Sequence, residues 1–400
     1  MLGAFASGRT TITNFSTGQD CTSTLRCVEA LGAKVLREAD GRIVIDGVGG
    51  AFHLPEQSLD CGNSGSTMRM LSGLLAGQEK QFVLTGDESL SRRPMRRVAA
   101  PLTAMGATIE LTDGHAPITI RGGKLRAIDY ETPVPSAQVK SAVLFAGLQS
   151  EGVTTVTESV RTRDHSELAL RAFGAELERS LSTVSIRGSQ SLHGIDAIVP
   201  GDISSAAFFL CAAAICPGSS LTVEGLGMNP TRAALLDVLT GLGLKLGVLS
   251  LEETNQELIG AVHAGAPTDG LRGAEISGAL AAQLIDELPV LAAIAPYTRD
   301  GVTIRDAKEL RVKESDRIAL VAKNLRAMGA EVTEFDDGLS VAGGQTLHGA
   351  KIDSGGDHRI AMAFAIAGLR ASSPVTIADP GCVAISFPEF FDLLDHLTQA

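Results

Sequence analysis

Leu31-Gly32-Ala33 returns along this chain as Met105-Gly106-Ala107, Phe173-Gly174-Ala175, Leu242-Gly243-Leu244 and Met328-Gly329-Ala330. Each triplet ends an amphipathic stretch and precedes a short run rich in Thr, Val and Ile. Each glycine therefore predicts the end of a helix and the turn into a strand. Successive glycines lie 74, 68, 69 and 86 residues apart, and a sixth helix is expected from Phe390 to Leu397. Self-similarity at such a period marks an array of roughly 70-residue α/β units.

Ahead of these helices runs a second kind, built of small residues, which opens on a polar cluster and closes on a glycine. It is read from Asn63 to Gly77, Ser204 to Gly218 and Glu287 to Gly301. The matching glycine of the first unit is Gly8, so the symmetry places that unit's opening cluster before Met1 and expects its first helix to begin part-way. Six units divide as three and three. The third ends near Ser189 and Pro200-Gly201-Asp202 opens the fourth, which places a linker at 190–202 and domains at 1–195 and 196–400.

With 44% hydrophobic residues the 400-residue chain can bury two cores. Its 34 basic against 46 acidic residues, a net charge of −12, argue against general nucleic-acid binding. A cleft can still gather several Arg and Lys around a small anion. The six cysteines show no metal-ligand spacing and read as buried reduced thiols. The N-terminal residues lack the pattern of a signal peptide, and the longest apolar runs, Leu210 to Cys216 and Met362 to Leu369, are too short to cross a membrane. A cytoplasmic, monomeric protein without membrane or nucleic-acid partners is expected.

The inner helices open on Gly62-Asn63-Ser64-Gly65, Pro135-Ser136-Ala137-Gln138, Gly201-Asp202-Ile203-Ser204-Ser205, Ile285-Asp286-Glu287 and Gly356-Asp357-His358-Arg359. Such ends carry unpaired N–H groups, so each is either an ordinary N-cap or part of an anion site. The densest charge is Leu310 to Arg317. Counting back from Ile318 by one helical turn reaches Glu314, which would extend an apolar stripe and suit a general acid or base. Asp286-Glu287, before the apolar run Leu288 to Ala293, is open to the same reading or to helix capping. Arg69, Arg93, Arg163, Lys313, Arg317 and Arg359 all fall in or just after these clusters. His165 and His358 are candidates either for a base or for structural hydrogen bonding.

Taken together, Gly62 to Arg69, Leu84 to Leu90 with Arg93-Pro94-Met95, Ser136 to Ser141, Thr162 to His165, Asp286 to Pro289, Leu310 to Arg317, Asp357-His358-Arg359 and Ser386 to Phe390 resemble the 5-enolpyruvylshikimate-3-phosphate synthase family, in family order along the whole chain. The resemblance implies an α/β fold of two similar domains, each of three βαββαβ repeats forming an inside-out α/β barrel, with ligands in the cleft between them. It implies transfer of the enolpyruvyl group of phosphoenolpyruvate to the 5-hydroxyl of shikimate 3-phosphate, a step towards chorismate and aromatic amino acids, with no metal or organic cofactor. By the same resemblance Ser136, Ala137 (backbone), Gln138, Arg163, Asp286 and Lys313 would hold shikimate 3-phosphate. Gly65, Arg93, Gln138, Arg317 and Arg359 would hold phosphoenolpyruvate, Asp286 would deprotonate the hydroxyl, and Glu314 would exchange a proton with the methylene carbon.

Two departures from the family pattern stand out. Its opening Pro-Gly-Asp-Lys-Ser motif has no counterpart here, and Ile385 stands where some members carry a Lys. A truncated or degenerate copy with residual ligand binding is therefore the alternative, and the chain as given is expected to turn over slowly. The related transferase acting on UDP-N-acetylglucosamine usually carries a Cys before an Arg-Pro pair, whereas Gly86 to Pro94 contains none.

Overall fold

The computed structural model describes residues 1–399. It divides into two compact units, one of Met1–Val199 with Thr254–Gln256, the other of Pro200–Glu253 with the residues from Glu257 on.

The five predicted glycines do the same work. The helices Gln19–Ala30, Arg96–Met105, His165–Ala172, Ala234–Leu242 and Arg317–Ala327 run out into Gly32, Gly106, Gly174, Gly243 and Gly329, whose φ angles lie between +90° and +117°. In every case the next amide donates to the carbonyl five residues back: Ala33 to Val28, Ala107 to Leu102, Ala175 to Leu170, Leu244 to Leu239 and Ala330 to Leu325, at 2.8–3.1 Å. The glycine amide itself donates to the carbonyl three back. This is the Schellman closure, in which the left-handed residue lets two terminal carbonyls find partners. The apolar residues on both sides of each turn are buried. The carbonyl preceding each glycine is paired as well, accepting from His53, Arg126, His193, Arg272 and His348 in turn.

A complete repeat runs from Leu59–Asp60 through the helix Gly65–Ala76, the strand Gln81–Thr85 and the helix Arg96–Met105 to the hairpin Thr108–Thr112 and His115–Arg121. The order is thus strand, helix, strand, helix, strand, strand. The hairpin follows the second helix instead of separating the two helices as the βαββαβ expectation had it, because the Schellman turn delivers the chain straight into its first strand. The strands flanking the first helix pair in parallel, and the hairpin adds to them antiparallel. The same four-stranded pattern forms around Asp129–Thr132 and around Ala274–Ile276. In the first unit the parallel neighbour of Arg9–Thr13 is Asp196–Ile198. The stretch expected as linker therefore contains a strand, which completes that sheet.

The small-residue helices form the inside of each unit. A Cβ on Gly73 would stand 2.2 Å from the Ala142 carbonyl oxygen, so the helices Gly65–Ala76 and Ala137–Gly147 touch backbone to backbone. In the second unit the helix Ile203–Ile215, apolar nearly all round, packs against Leu288–Ile294 and His358–Gly368. The strands of His115–Arg121 type alternate buried and exposed residues, with one face to these helices and one to water. This is the inside-out arrangement. All six cysteines are free, with Cys27, Cys61, Cys211 and Cys382 buried. Among the described residues no helix is long and apolar enough to cross a membrane.

Gly32 and Gly106 separate two costs of losing a glycine. A Cβ on Gly106 (φ +117°) would meet only the Lys124 carbonyl at 3.4 Å, whereas one on Gly32 (φ +99°) would sit 2.5 Å from the His53 ring. Gly106→Ala is expected to cost about 1–2 kcal/mol from the left-handed backbone alone, and Gly32→Ala more, in urea unfolding. Equal losses would show that the His53 ring simply swings away.

Candidate active site

The second unit holds a buried guanidinium at the start of one of its amphipathic second helices. Arg317, 1% exposed, begins the helix Arg317–Ala327 and meets three carboxylates. Its Nε donates to Asp357 Oδ2 at 2.8 Å, its Nη2 to Glu314 Oε2 at 2.6 Å, and its Nη1 to Asp286 Oδ1 at 3.4 Å. Lys313 Nζ reaches the same Asp286 oxygen at 3.4 Å, while the Ser315 hydroxyl donates to Asp357. Arg359 Nη1 donates to the Asp286 main-chain carbonyl at 3.0 Å. Five of the sequence candidates, Asp286, Lys313, Glu314, Arg317 and Arg359, thus come together.

A cation with no water must have anions, and the geometry supplies them. Asp357 is fully buried, which pushes its carboxyl up, but the Arg317 guanidinium outweighs this and holds it below the usual range. The same aspartate caps the helix His358–Gly368 by accepting from the Arg359 amide at 2.9 Å. Asp202 caps Ile203–Ile215 in like manner, and there too burial is opposed by nearby Arg232 and Arg359, leaving the carboxyl low.

In the first unit the opening of Gly65–Ala76 is capped by Ser64, which accepts from the Thr67 amide. Arg69 Nη1 donates to Gln138 Oε1 at 2.6 Å, and Gln138 Nε2 donates to the Ser66 hydroxyl at 2.8 Å. Arg93 donates to Asn63 Oδ1 at 2.7 Å, and Asn63 in turn donates to Asp87. Both arginines are buried. A Cβ on Gly65 would lie 3.1 Å from the Arg69 and 3.2 Å from the Arg93 guanidinium, so this glycine leaves their ends room. Ser136 caps Ala137–Gly147. Arg163 stands on the connection 159–164, before His165–Ala172.

Three expectations need correction. Glu314 does not continue the stripe of Ile318, because the helix starts at Arg317 under an Asp316 cap and Glu314 lies in the turn before it. Glu287 precedes Leu288–Ile294 without capping it. Its carboxylate instead accepts from the Ser204 hydroxyl and, at 3.0 Å, from Arg232. Of the two readings of His358, structural hydrogen bonding is not made at Nδ1, which has no partner among the described residues. Burial lowers this imidazole to about 4, so it is neutral near pH 7.

The sequence reading passed over Arg232 and the buried cluster of Lys140, Glu158 and Glu167. Lys140 carried the usable signal, a lone charge two positions after Gln138 in an otherwise apolar helix. Arg232 had none, since its loop precedes an ordinary amphipathic helix. Among the described residues no group of three or more His, Cys, Asp or Glu is arranged to hold a metal ion.

The His358 environment predicts a pH effect on stability. Its folded value, about 4, lies below the ordinary 6.5, so between those values the unfolded chain binds the extra proton. Stability should therefore fall as pH drops through this window and be unaffected by this group above it. His358→Gln is expected to flatten the decline of the urea midpoint between about pH 6.5 and pH 4.5. Parallel declines in the two proteins would mean that this imidazole is not held neutral.

The sequence model of the family described as EPSP synthase (3-phosphoshikimate 1-carboxyvinyltransferase) matches residues 1–394. A relative of that enzyme name from Koribacter versatilis is 61% identical over 399 residues, covering 100% of this chain and 93% of its own length. One from Solibacter usitatus is 51% identical over 401 residues with the same shares. Among solved structures, EPSP synthase from Acinetobacter baumannii superposes with a TM-score of 0.87 at 41% identity, over 99% of this chain and 92% of that one. The enolpyruvyl transferase NikO from Streptomyces tendae, at 20% identity and a TM-score of 0.79, shares the fold. By its sequence over nearly its whole length and by its architecture, the chain belongs to the EPSP synthase family.

Proposed function

We propose that this protein transfers the enolpyruvyl group of phosphoenolpyruvate to the 5-hydroxyl of shikimate 3-phosphate and releases phosphate. The observation that carries the reading is the grouping of Asp286, Lys313, Glu314 and Arg359 around the buried Arg317, in a chain whose relatives bear the name 3-phosphoshikimate 1-carboxyvinyltransferase. Ser136, the Ala137 backbone, Gln138, Arg163, Asp286 and Lys313 are assigned to shikimate 3-phosphate. Gly65, Arg93, Gln138, Arg317 and Arg359 are assigned to phosphoenolpyruvate. Both substrates are anions, and guanidinium groups pair with phosphate and carboxylate oxygens through directed, charge-assisted bonds.

In this reading Glu314 donates a proton to the methylene carbon of phosphoenolpyruvate, which leaves the neighbouring carbon cationic. The 5-hydroxyl oxygen attacks that carbon while Asp286 takes its proton, giving a tetrahedral adduct. Glu314 then removes a proton from the new methyl group as the bond to phosphate breaks, restoring the double bond and expelling phosphate. Arg317 bonds Glu314 and Asp286 with two nitrogens of one planar group, so the two proton-handling carboxylates are fixed relative to each other before substrate arrives.

Phosphate release that requires both substrates, with the enolpyruvyl ether identified by mass, is the direct assay; no release from this pair would remove the proposal. Asp286→Asn and Glu314→Gln should each lower kcat by about 100-fold or more with unchanged circular dichroism, and near-normal turnover would exclude that residue from proton transfer. Gly65→Ala should press on the Arg69 and Arg93 guanidinium groups and raise KM for phosphoenolpyruvate at least about fivefold, with KM for shikimate 3-phosphate little changed. A rise confined to the second substrate would reassign the Gly65 end.

A further inference from the structure

A deeply buried ion cluster of the first unit, none of whose charged side chains is itself assigned to substrate, brackets a residue that is. Lys140 Nζ, 1% exposed, donates to Glu158 Oε2 at 2.8 Å and lies 2.8 Å from Glu167 Oε1. Glu158 is the last residue of the strand Val153–Glu158, and Glu167 is in the first turn of the helix His165–Ala172. Between them runs the connection 159–164 with Arg163 near its end. One ammonium therefore pins both ends of the segment that carries Arg163.

Other bonds tighten the same connection. The Thr162 hydroxyl donates to the second oxygen of Glu158. Asp164 Oδ2 accepts from Arg161 at 3.1 Å and pairs with Arg179 at 2.5 Å. The hydroxyls of Ser141 and Ser166 are 2.6 Å apart, a second tie between the two helices. Lys140 is also one turn from the helix opening, for its amide donates to the Ser136 carbonyl at 3.1 Å. The cation thus rides on the turn that presents Ser136, Ala137 and Gln138.

We propose that Lys140 is a positioning residue of the substrate site, which sets Arg163 against the helix opening at Ser136 to Gln138 by clamping Glu158 and Glu167. The inference rests on the reading in which Arg163 and that opening hold shikimate 3-phosphate. Simple cohesion is a poor account of the cluster. Two carboxylates share one ammonium out of water, and burial pushes the Glu167 carboxyl up despite Lys140. Apolar side chains of similar size would join the same elements without that desolvation cost. A charge-assisted pair adds a fixed direction, which an Arg-bearing connection outside helix and strand needs if its guanidinium is to meet a phosphate without further ordering.

The test uses Lys140→Met and the near-isosteric Glu167→Gln, with Arg163→Ala as reference, in steady-state kinetics on both substrates. The expected result is a rise of about tenfold in KM for shikimate 3-phosphate, with KM for phosphoenolpyruvate within about twofold. Lys140→Arg should restore most of the loss. In a double-mutant cycle the effect of Lys140→Met or Glu167→Gln should largely vanish once Arg163 is Ala, because the clamp acts through that side chain. Should Lys140→Met fail to fold, Glu167→Gln carries the same cycle. Additive effects, or an unchanged KM in the folded variants beside a raised KM in Arg163→Ala, would overturn the positioning role alone. A normal KM in Arg163→Ala would overturn the substrate assignment of Arg163 and this inference with it.

Discussion

A left-handed glycine with two backbone hydrogen bonds closes the second helix in five places, and the architecture follows from that closure. The turn satisfies terminal carbonyls, reverses the chain and delivers it into the first strand of a hairpin. The hairpin adds to two parallel strands that flank an inner helix. Because those strands and that helix form a βαβ connection, the inner helix must cross one face of the sheet. Repetition then gathers the inner helices within each unit, where Gly73 lets two of them meet at backbone distance.

Burying helix openings creates an electrostatic problem that the side chains solve locally. The first turn of a helix already carries positive partial charge, and here buried Arg317 and Arg232 stand close to such turns. The capping aspartates Asp357 and Asp202 serve twice, as acceptors for orphan amides and as counter-ions. Removing one would leave both a bare helix end and an unbalanced guanidinium, so these positions are far more demanding than an exposed cap. The same logic explains why Glu314 and Asp286 share Arg317. Each acid has its own proton to handle in the proposed reaction, and the shared guanidinium keeps the two carboxylates in a fixed spatial relation.

Much of the candidate site was legible because polar residues at the ends of apolar helices are conspicuous in a linear reading. Ser64, Ser136, Asp202 and Asp357 fell where a cap was expected and do cap. Glu314 was singled out by a helical count that the structure does not sustain, since the Asp316 cap starts the helix two residues later. Its place beside Arg317 comes from a turn, which periodicity does not describe. Glu287 stood where helix capping was one of two readings, but its carboxylate is drawn away by Ser204 and Arg232, partners distant in sequence whose bonds to it are charge-assisted.

The sequence by itself determined where the five second helices stop and which helix openings are polar, because these depend on backbone conformation and on side chains within a few residues. The family resemblance of the ordered motifs added the chemistry. Only the tertiary structure decided that the strand Asp196–Ile198 completes the first sheet, that Arg317 is wrapped by Asp286, Glu314 and Asp357, and that Lys140 joins Glu158 to Glu167. Each is a pairing between segments separated by 18 or more residues in at least one contact. Partner choice at that range is set by which groups packing removes from water together, a cost and a reward that no local pattern records.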